Sequence, residues 1–525
     1  MRNTKKNRLT NALIVALVLG MTSCSDFLEQ MPKTSLTQEQ VFSDLANIEP
    51  AVDGLYTSYR GVKEGRQGLT FLLLGLDESK QGIVQMNDAA QAGLDRYDGM
   101  LNPSSTQIDA MWSKKWPVVV DAANAIYALD IMEKNTQDET VLAKIHTLRG
   151  NACFIRAMLM FELAMYWGEV PVIDIANMVN TARQPLDVVW GQIFSDFTYA
   201  SENLPDTQED KKRATSGAAL AMLGKAYMSV PTELGLRDFS KAKDCFETIK
   251  SKGRYQLDTK YSNLFEETLE FNSPESIFEL DFANPWPFPN YWQFDLGSRT
   301  VDSAFGNGCY MSGYDVALPT EYAYKMKSEG GVWEEGDLRK DESIRYEFKY
   351  MGMTLTVVSW GADELDPHIK KYEDERTDML NGPYGNMWNS GKNFILIRYA
   401  DVLLSYAECL NELGKTSEAV SVVNEVRTRA WGGILPANKQ WTGMSQDEFR
   451  TQILDERMRE LCFEGWRRID LIRTGNFVKL IKERNQWTKQ SGTIQEFNTL
   501  WPIPDNEIKN NPDIEVEDQN PGYNK

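Results

Sequence analysis

Phe282 to Phe294 reads FANPWPFPNYWQF, six aromatic residues in thirteen, against a chain average of 11%. Three prolines stiffen it. Aromatic faces on a backbone ordered before binding suit sugar rings, whose axial C–H groups form apolar patches, and the pre-ordering lowers the entropy lost on binding. Trp286 and Trp292 are the expected stacking platforms, with Tyr291 beside them. The same aromatics would also serve as a small buried core or as a contact for a protein partner, since interfaces are rich in aromatics too. Stacking alone lacks specificity, so polar groups must converge next to it. Trp333, Tyr384 and Trp388, with Asn386 and Asn389, form a further cluster of this kind, for which structural packing is the competing reading.

Catalytic signatures are sparse. The only histidines are His146 and His368, and there is no HExxH, GxSxG or glycine-rich phosphate loop, so Ser-His and Cys-His chemistry is set aside. The 76 acidic residues make paired carboxylates frequent by chance, which leaves glycoside hydrolysis as the alternative chemistry; product formation separates a hydrolase from a binder. No EF-hand spacing and no CxxC pair occur, so no metal and no cofactor is expected. Cys153, Cys245, Cys309, Cys409 and Cys462 sit mostly in helical apolar context and read as small buried hydrophobes.

These residues need a frame. Leu396 to Ala430 reads as two helices and a turn: Leu396, Ala400, Leu403, Ala407 and Leu410 share one face, Gly414 stops the first helix, and Ala419, Val422, Val426 and Ala430 line the second. Neither stripe can be buried alone, so further pairs are required. Ala218 to Ser251 supplies one, with Leu223-Gly224, Tyr227, Ala242 and Phe246 in tetratricopeptide spacing and a long connection around Pro231 to Arg237. Asn47–Tyr59, Gln107–Lys134, Glu139–Trp167 and Pro185–Asn203 also read as helices, as does the amphipathic run Phe449–Arg473. Residues 254–395, rich in Gly, Pro, Tyr and Trp, carry only short candidate strands at Ser276–Phe282 and Met353–Ser359. They are expected to form an irregular functional insertion between scaffold parts 24–253 and 396–525.

The chain has 525 residues and a net charge of −20, which repels phosphate backbones and excludes nucleic acid as an expected partner. Arg2, Lys5, Lys6 and Arg8 precede the apolar run Ala12–Gly20, too short to span a bilayer, and Met21-Thr22-Ser23-Cys24 resembles a bacterial lipobox. The resemblance implies a signal peptide over residues 1–23 and acylation of Cys24. Ser25, Asp26 and Glu29 resemble the signal by which Bacteroidetes send lipoproteins to the outer face.

Several segments in order resemble the SusD/RagB family of outer-membrane nutrient-binding lipoproteins. They are SCSDFLEQMP with VDGLYTSY; Arg149 to Pro171; Arg213 to Tyr227; Arg398 to Ala430; Glu456-Arg457 with Glu460-Leu461 and Phe463-Glu464-Gly465; Asp470 to Arg473; Pro502-Ile503-Pro504; and Gln519 to Tyr523. The late motifs read as architecture: Glu456, Arg457, Glu460, Glu464 and Arg467 lie three and four apart and suit ion pairs. The resemblance implies a mostly α, tetratricopeptide-like scaffold anchored by lipid on the outer membrane, non-enzymatic, binding a glycan and delivering it to a SusC-like TonB-dependent transporter. A peptide-binding protein of the RagB type is the alternative. By region, it also implies a ligand role for Asp77, Asn87, Asp88, Arg96 and Tyr97 within Gly75–Met100.

Overall fold

Nearly all the regular structure is helical. The fold is that of a computed structural model, which describes residues 44–83, 89–175, 181–269, 272–283, 289–306, 308–356 and 365–523. The chain divides into two units: Met1–Ile48, of which residues 44–48 are described, and Glu49–Lys525, to which everything below belongs.

Helices α1 (Trp116–Lys134), α2 (Glu139–Trp167), α3 (Leu186–Asn203), α4 (Ser216–Ser229) and α5 (Phe239–Lys252) each pack on the next. The Asp138 carboxylate caps α2 by accepting from the backbone N–H groups of Thr140 and Val141. In the α4–α5 hairpin the tetratricopeptide glycine has a steric reason: a Cβ on Gly224 would sit 2.6 Å from the Phe246 ring. Then α5 packs on α8 (Tyr399–Glu412), which packs on α9 (Thr416–Ala430) and α10 (Gln446–Leu461). Each pair thus buries the stripe its neighbour leaves open, as stacked hairpins do. The fold is the expected mostly α, tetratricopeptide-like one.

Three helical expectations are corrected. Gln107–Lys134 is two helices, Thr106–Ser113 and α1, because the chain turns at Lys114-Lys115 ahead of Pro117. Leu396 is not on a helix. It belongs to strand Phe394–Arg398, which pairs antiparallel with strand Ser276–Leu280, and extended Arg398 (φ −137°) hands over to α8. Phe449–Arg473 breaks into α10 and α11 (Arg467–Arg473), since Phe463 (φ 64°) and Gly465 (φ 83°) are left-handed. The break is clamped from outside: Lys371 Nζ donates to the Cys462 carbonyl at 2.8 Å and Glu78 accepts from the Phe463 N–H at 3.0 Å.

The late charged residues are buried, and they tie helices to their neighbours more than they pair along one helix. Arg398 reaches Glu275 (2.7 Å), Glu460 (2.6 Å) and Glu464 (2.7 Å); Arg339 reaches Asp337, Glu456 and Glu460 within 2.9 Å. Arg427 also meets Glu456, and Arg457 joins Asp401 on α8 to Asp470 on α11. Burial by itself would raise the Glu456 carboxyl, but Arg339, Arg459 and Arg427 outweigh it and hold it well below the ordinary carboxylate range. All five cysteines from Cys153 to Cys462 are free and buried.

Between Gly253 and Phe394 the helices are short, among them α6 (Trp292–Leu296) and α7 (Arg299–Phe305), and among the described residues none exceeds the seven residues of α7. A hairpin of Glu347–Tyr350 and Met353–Thr356 lies on a small core that includes Val301, Met311, Phe348 and Leu365.

Candidate functional site

Trp292 opens a one-turn helix, Trp292–Leu296, and it is the fixed point of the aromatic segment. It is 0% exposed, packed edge-on against Tyr372 (5.4 Å) and Phe394 (4.9 Å), and its Nε1 donates to the Gly65 carbonyl at 3.2 Å. A ring with no free face cannot stack on a sugar, so the platform role expected of Trp292 is corrected to that of an anchor. The turn before it is equally fixed. Asn290 and Ser390 exchange backbone hydrogen bonds of 2.7 and 2.8 Å, and the Asn290 side chain caps the Trp292 N–H at 2.9 Å. Tyr291, between the bridge and the anchor, is left 41% exposed.

Two loops carry the remaining surface. Carbonyls of the helix and of Gly297 just after it receive the run 313–316: Tyr314 N–H donates to Phe294 O, Asp315 N–H to Gly297 O and Val316 N–H to Asp295 O, each at 2.9 Å. This approach needs glycine, because a Cβ on Gly313 would lie 2.0 Å from the Phe294 carbonyl oxygen. It brings the Tyr314 ring edge-to-face with Phe294 at 4.6 Å, and Phe294 in turn meets Trp388 at 5.7 Å. Trp388 is 47% and Tyr314 38% exposed, while Phe294 between them is buried. Arg66 and Arg299 place guanidinium groups 4.9 and 5.6 Å from the Tyr314 ring centre, and Arg66 is paired with Asp295 at 2.6 Å. Burial raises the Asp295 carboxyl, against the pull of Arg66. Trp388 is held by its N–H donating to Asn386 Oδ1 at 3.1 Å. Half-buried Tyr384 lies against Arg376, and Asn389 is half-buried beside Trp388.

The surface therefore presents the partly exposed rings of Tyr291, Tyr314 and Trp388 on backbone tied by hydrogen bonds. Such rings offer flat apolar contact at little ordering cost, with arginine and asparagine donors at the rim. Arg66, Arg299 and Tyr314 escaped the sequence reading. The one signal for Tyr314 was its place after a Gly-rich run, GNGCYMSGY, which singles out no residue.

Other expected ligand residues are placed elsewhere. Asp77 is fully buried, paired with Arg467 (2.6 Å) and Arg484 (3.0 Å), and those cations outweigh burial to lower its carboxyl. Tyr97 is buried in a left-handed conformation (φ 54°) and donates to Gly75 O at 2.6 Å. Trp333 is 1% exposed and donates to Ala323 O. For these three the ligand role is corrected, since side chains consumed by internal bonds have nothing left to offer. Arg96 is half-buried near Trp487, at 5.9 Å. Trp286, Asn87, Asp88 and Cys24 lie outside the described residues.

Comparison with known proteins gives a consistent result. The SusD family model matches residues 306–523, and a model described as starch-binding associating with outer membrane matches residues 26–228. The chain is 28% identical to SusD-like protein P2 of Formosa agariphila, over 99% of this chain and 100% of that one. It is also 28% identical to the starch-binding protein SusD of Bacteroides thetaiotaomicron, over 99% of each. The crystal structure of a SusD homologue from the latter organism superimposes with a TM-score of 0.77 at 22% identity, covering 93% of this chain and 99% of that one, a likeness of fold.

Proposed function

Because the chain belongs to the SusD/RagB family, we propose that it is a cell-surface glycan-binding lipoprotein of the outer membrane, anchored through Cys24, that hands its cargo to a SusC-like TonB-dependent transporter. Residues 24–253 and 396–525 serve as scaffold, and the insertion 254–395 carries the site. The observation that supports this most is the set of partly exposed rings Tyr291, Tyr314 and Trp388 on a rigid backbone. The starch-binding description of the N-terminal match and the starch-binding relative support the same ligand class.

The mechanism is an equilibrium. Sugar rings lie on the aromatic faces, Arg299, Asn386 and Asn389 supply rim hydrogen bonds, and a repeating chain gains by occupying more than one ring at once. No bond is made or broken, so catalysis belongs to other proteins.

Retardation of the lipid-free chain in native gels containing a panel of glycans tests this. One retarded lane, restored to normal migration by Trp388→Ala or Tyr314→Ala, supports the site. Shortening of the glycan on incubation would instead establish a hydrolase. Tight binding of peptides with no retardation by any glycan would favour the RagB-type alternative.

A further inference from the structure

The helices Ser216–Ser229 and Phe239–Lys252 are joined by nine residues, Val230–Asp238, longer than a tight hairpin needs. This connection lies between two clefts of about 540 and 470 Å³, and Thr232, Arg237, Arg473 and Thr474 line both. The clefts belong to the helical scaffold and share no residue with the aromatic surface.

Arg237 is held rigidly. Its Nε donates to Val230 O and its Nη1 to Arg473 O, both at 2.9 Å. Both acceptors are neutral carbonyls. The other arginines along the clefts are matched: Arg473 with Glu408 (2.8 Å), Arg484 with Asp77 (3.0 Å) and Arg450 with Glu412 (2.7 Å). Arg237 has no carboxylate within ion-pair distance and no partner for Nη2 among the described residues. Partial burial and the neighbouring Arg473 lower its pKa, against the pull of the Glu233 and Glu412 carboxylates, which lie beyond ion-pair distance. A second donor is unmet in the same cleft: Trp190 is 0% exposed, lines the larger cleft, and its Nε1–H has no acceptor among the described residues. Leu186, Met165 and Leu500 give that cleft an apolar wall, and Glu233 and Thr499 supply polar groups at it.

A half-buried guanidinium with one edge unpaired among the described residues is matched by a carboxylate, which it can bind as a charge-assisted acceptor. The apolar wall suits the C–H face of a ring, and the volume suits one or two such rings. The geometry points to a second ligand site in the scaffold, at Arg237, that takes a small sugar acid with its carboxylate on the guanidinium.

The site is tested by calorimetric titration of the mature protein in detergent with D-glucuronate, against D-glucose. Saturable binding of glucuronate alone is expected, weakened roughly tenfold or more in Arg237→Gln, and unchanged in Trp388→Ala, which removes a ring of the aromatic surface only. If Arg237→Gln fails to fold, Leu186→Trp fills the cleft from the apolar wall and is expected to abolish binding. The proposal is overturned by absence of saturable glucuronate binding, by equal binding of glucose, or by binding that survives both substitutions. Loss of binding in Trp388→Ala would also overturn it and move the sugar acid to the aromatic surface.

Discussion

Trp388 and Arg398 lie ten residues apart and have opposite fates. The tryptophan is 47% exposed at the end of the insertion, whereas the arginine is 1% exposed inside the scaffold, bound to three carboxylates. By side-chain hydrophobicity the placements should be reversed. The inversion separates two duties. In the scaffold, guanidinium forks meeting carboxylates at fixed angles join Glu275 and the strand pair to α8, α9 and α10, a geometric specificity that apolar contacts lack. In residues 254–395 the rings of Tyr291, Tyr314 and Trp388 are left partly exposed, which is what the proposed ligand role requires. The same segment also contains the opposite case, Trp292, buried so that Tyr291 beside it stays aimed at solvent.

Removing Arg398 or Trp292 should break this contrast most visibly. Arg398→Ala leaves Glu275, Glu460 and Glu464 buried with less counter-charge, a loss of about 3–5 kcal/mol. Trp292→Ala should cost about the same by opening a core cavity. Chemical denaturation measures both, and either variant retaining wild-type stability would contradict the anchoring role. Trp388→Ala should do the reverse: an unchanged melting temperature and roughly 30-fold weaker glycan binding, about 2 kcal/mol.

Glu78 sharpens the comparison within the scaffold. It is buried like Glu456, but burial outweighs the attraction of Arg467 and lifts its carboxyl from 4.5 to about 8. The folded state thus holds this proton more tightly than the unfolded chain. Its contribution is fully present below pH 4.5 and is lost as pH rises through about 8, at up to about 1.4 kcal/mol per pH unit between them. Glu78→Gln should flatten that slope in denaturation series run across this range; an unchanged slope would show that another group titrates. The smallest effect belongs to the exposed pair Arg450–Glu412, where Arg450→Ala should cost less than about 1 kcal/mol, measured beside Arg398→Ala.

Much of the scaffold was legible in the chain. Glu139–Trp167 was readable to the residue because a 29-residue apolar period ends at a glycine, and both tetratricopeptide-like hairpins follow from small residues at helical spacing. Local period and capping are properties of neighbouring residues, so sequence carries them. What it missed were long-range decisions: Leu396 fits a helical stripe, yet pairing with Ser276–Leu280 claims it for a strand.

The candidate site was legible as a composition and not as a surface. Aromatic density marked a segment in which Tyr291 is partly exposed, and Trp388 further along is exposed too, but Trp292, Trp333, Tyr97 and Asp77 are consumed by internal contacts. Which ring faces water depends on what packs behind it. For Trp292 that is Phe394, Tyr372 and the Gly65 carbonyl, and for Tyr314 it is a glycine-permitted approach to Phe294. The sequence by itself determined a helical-repeat scaffold, its family and an aromatic-rich insertion, because periodicity and ordered motifs are written locally. Only the tertiary structure decided which aromatics stay exposed and which are buried anchors, because burial is set by residues far away in the chain.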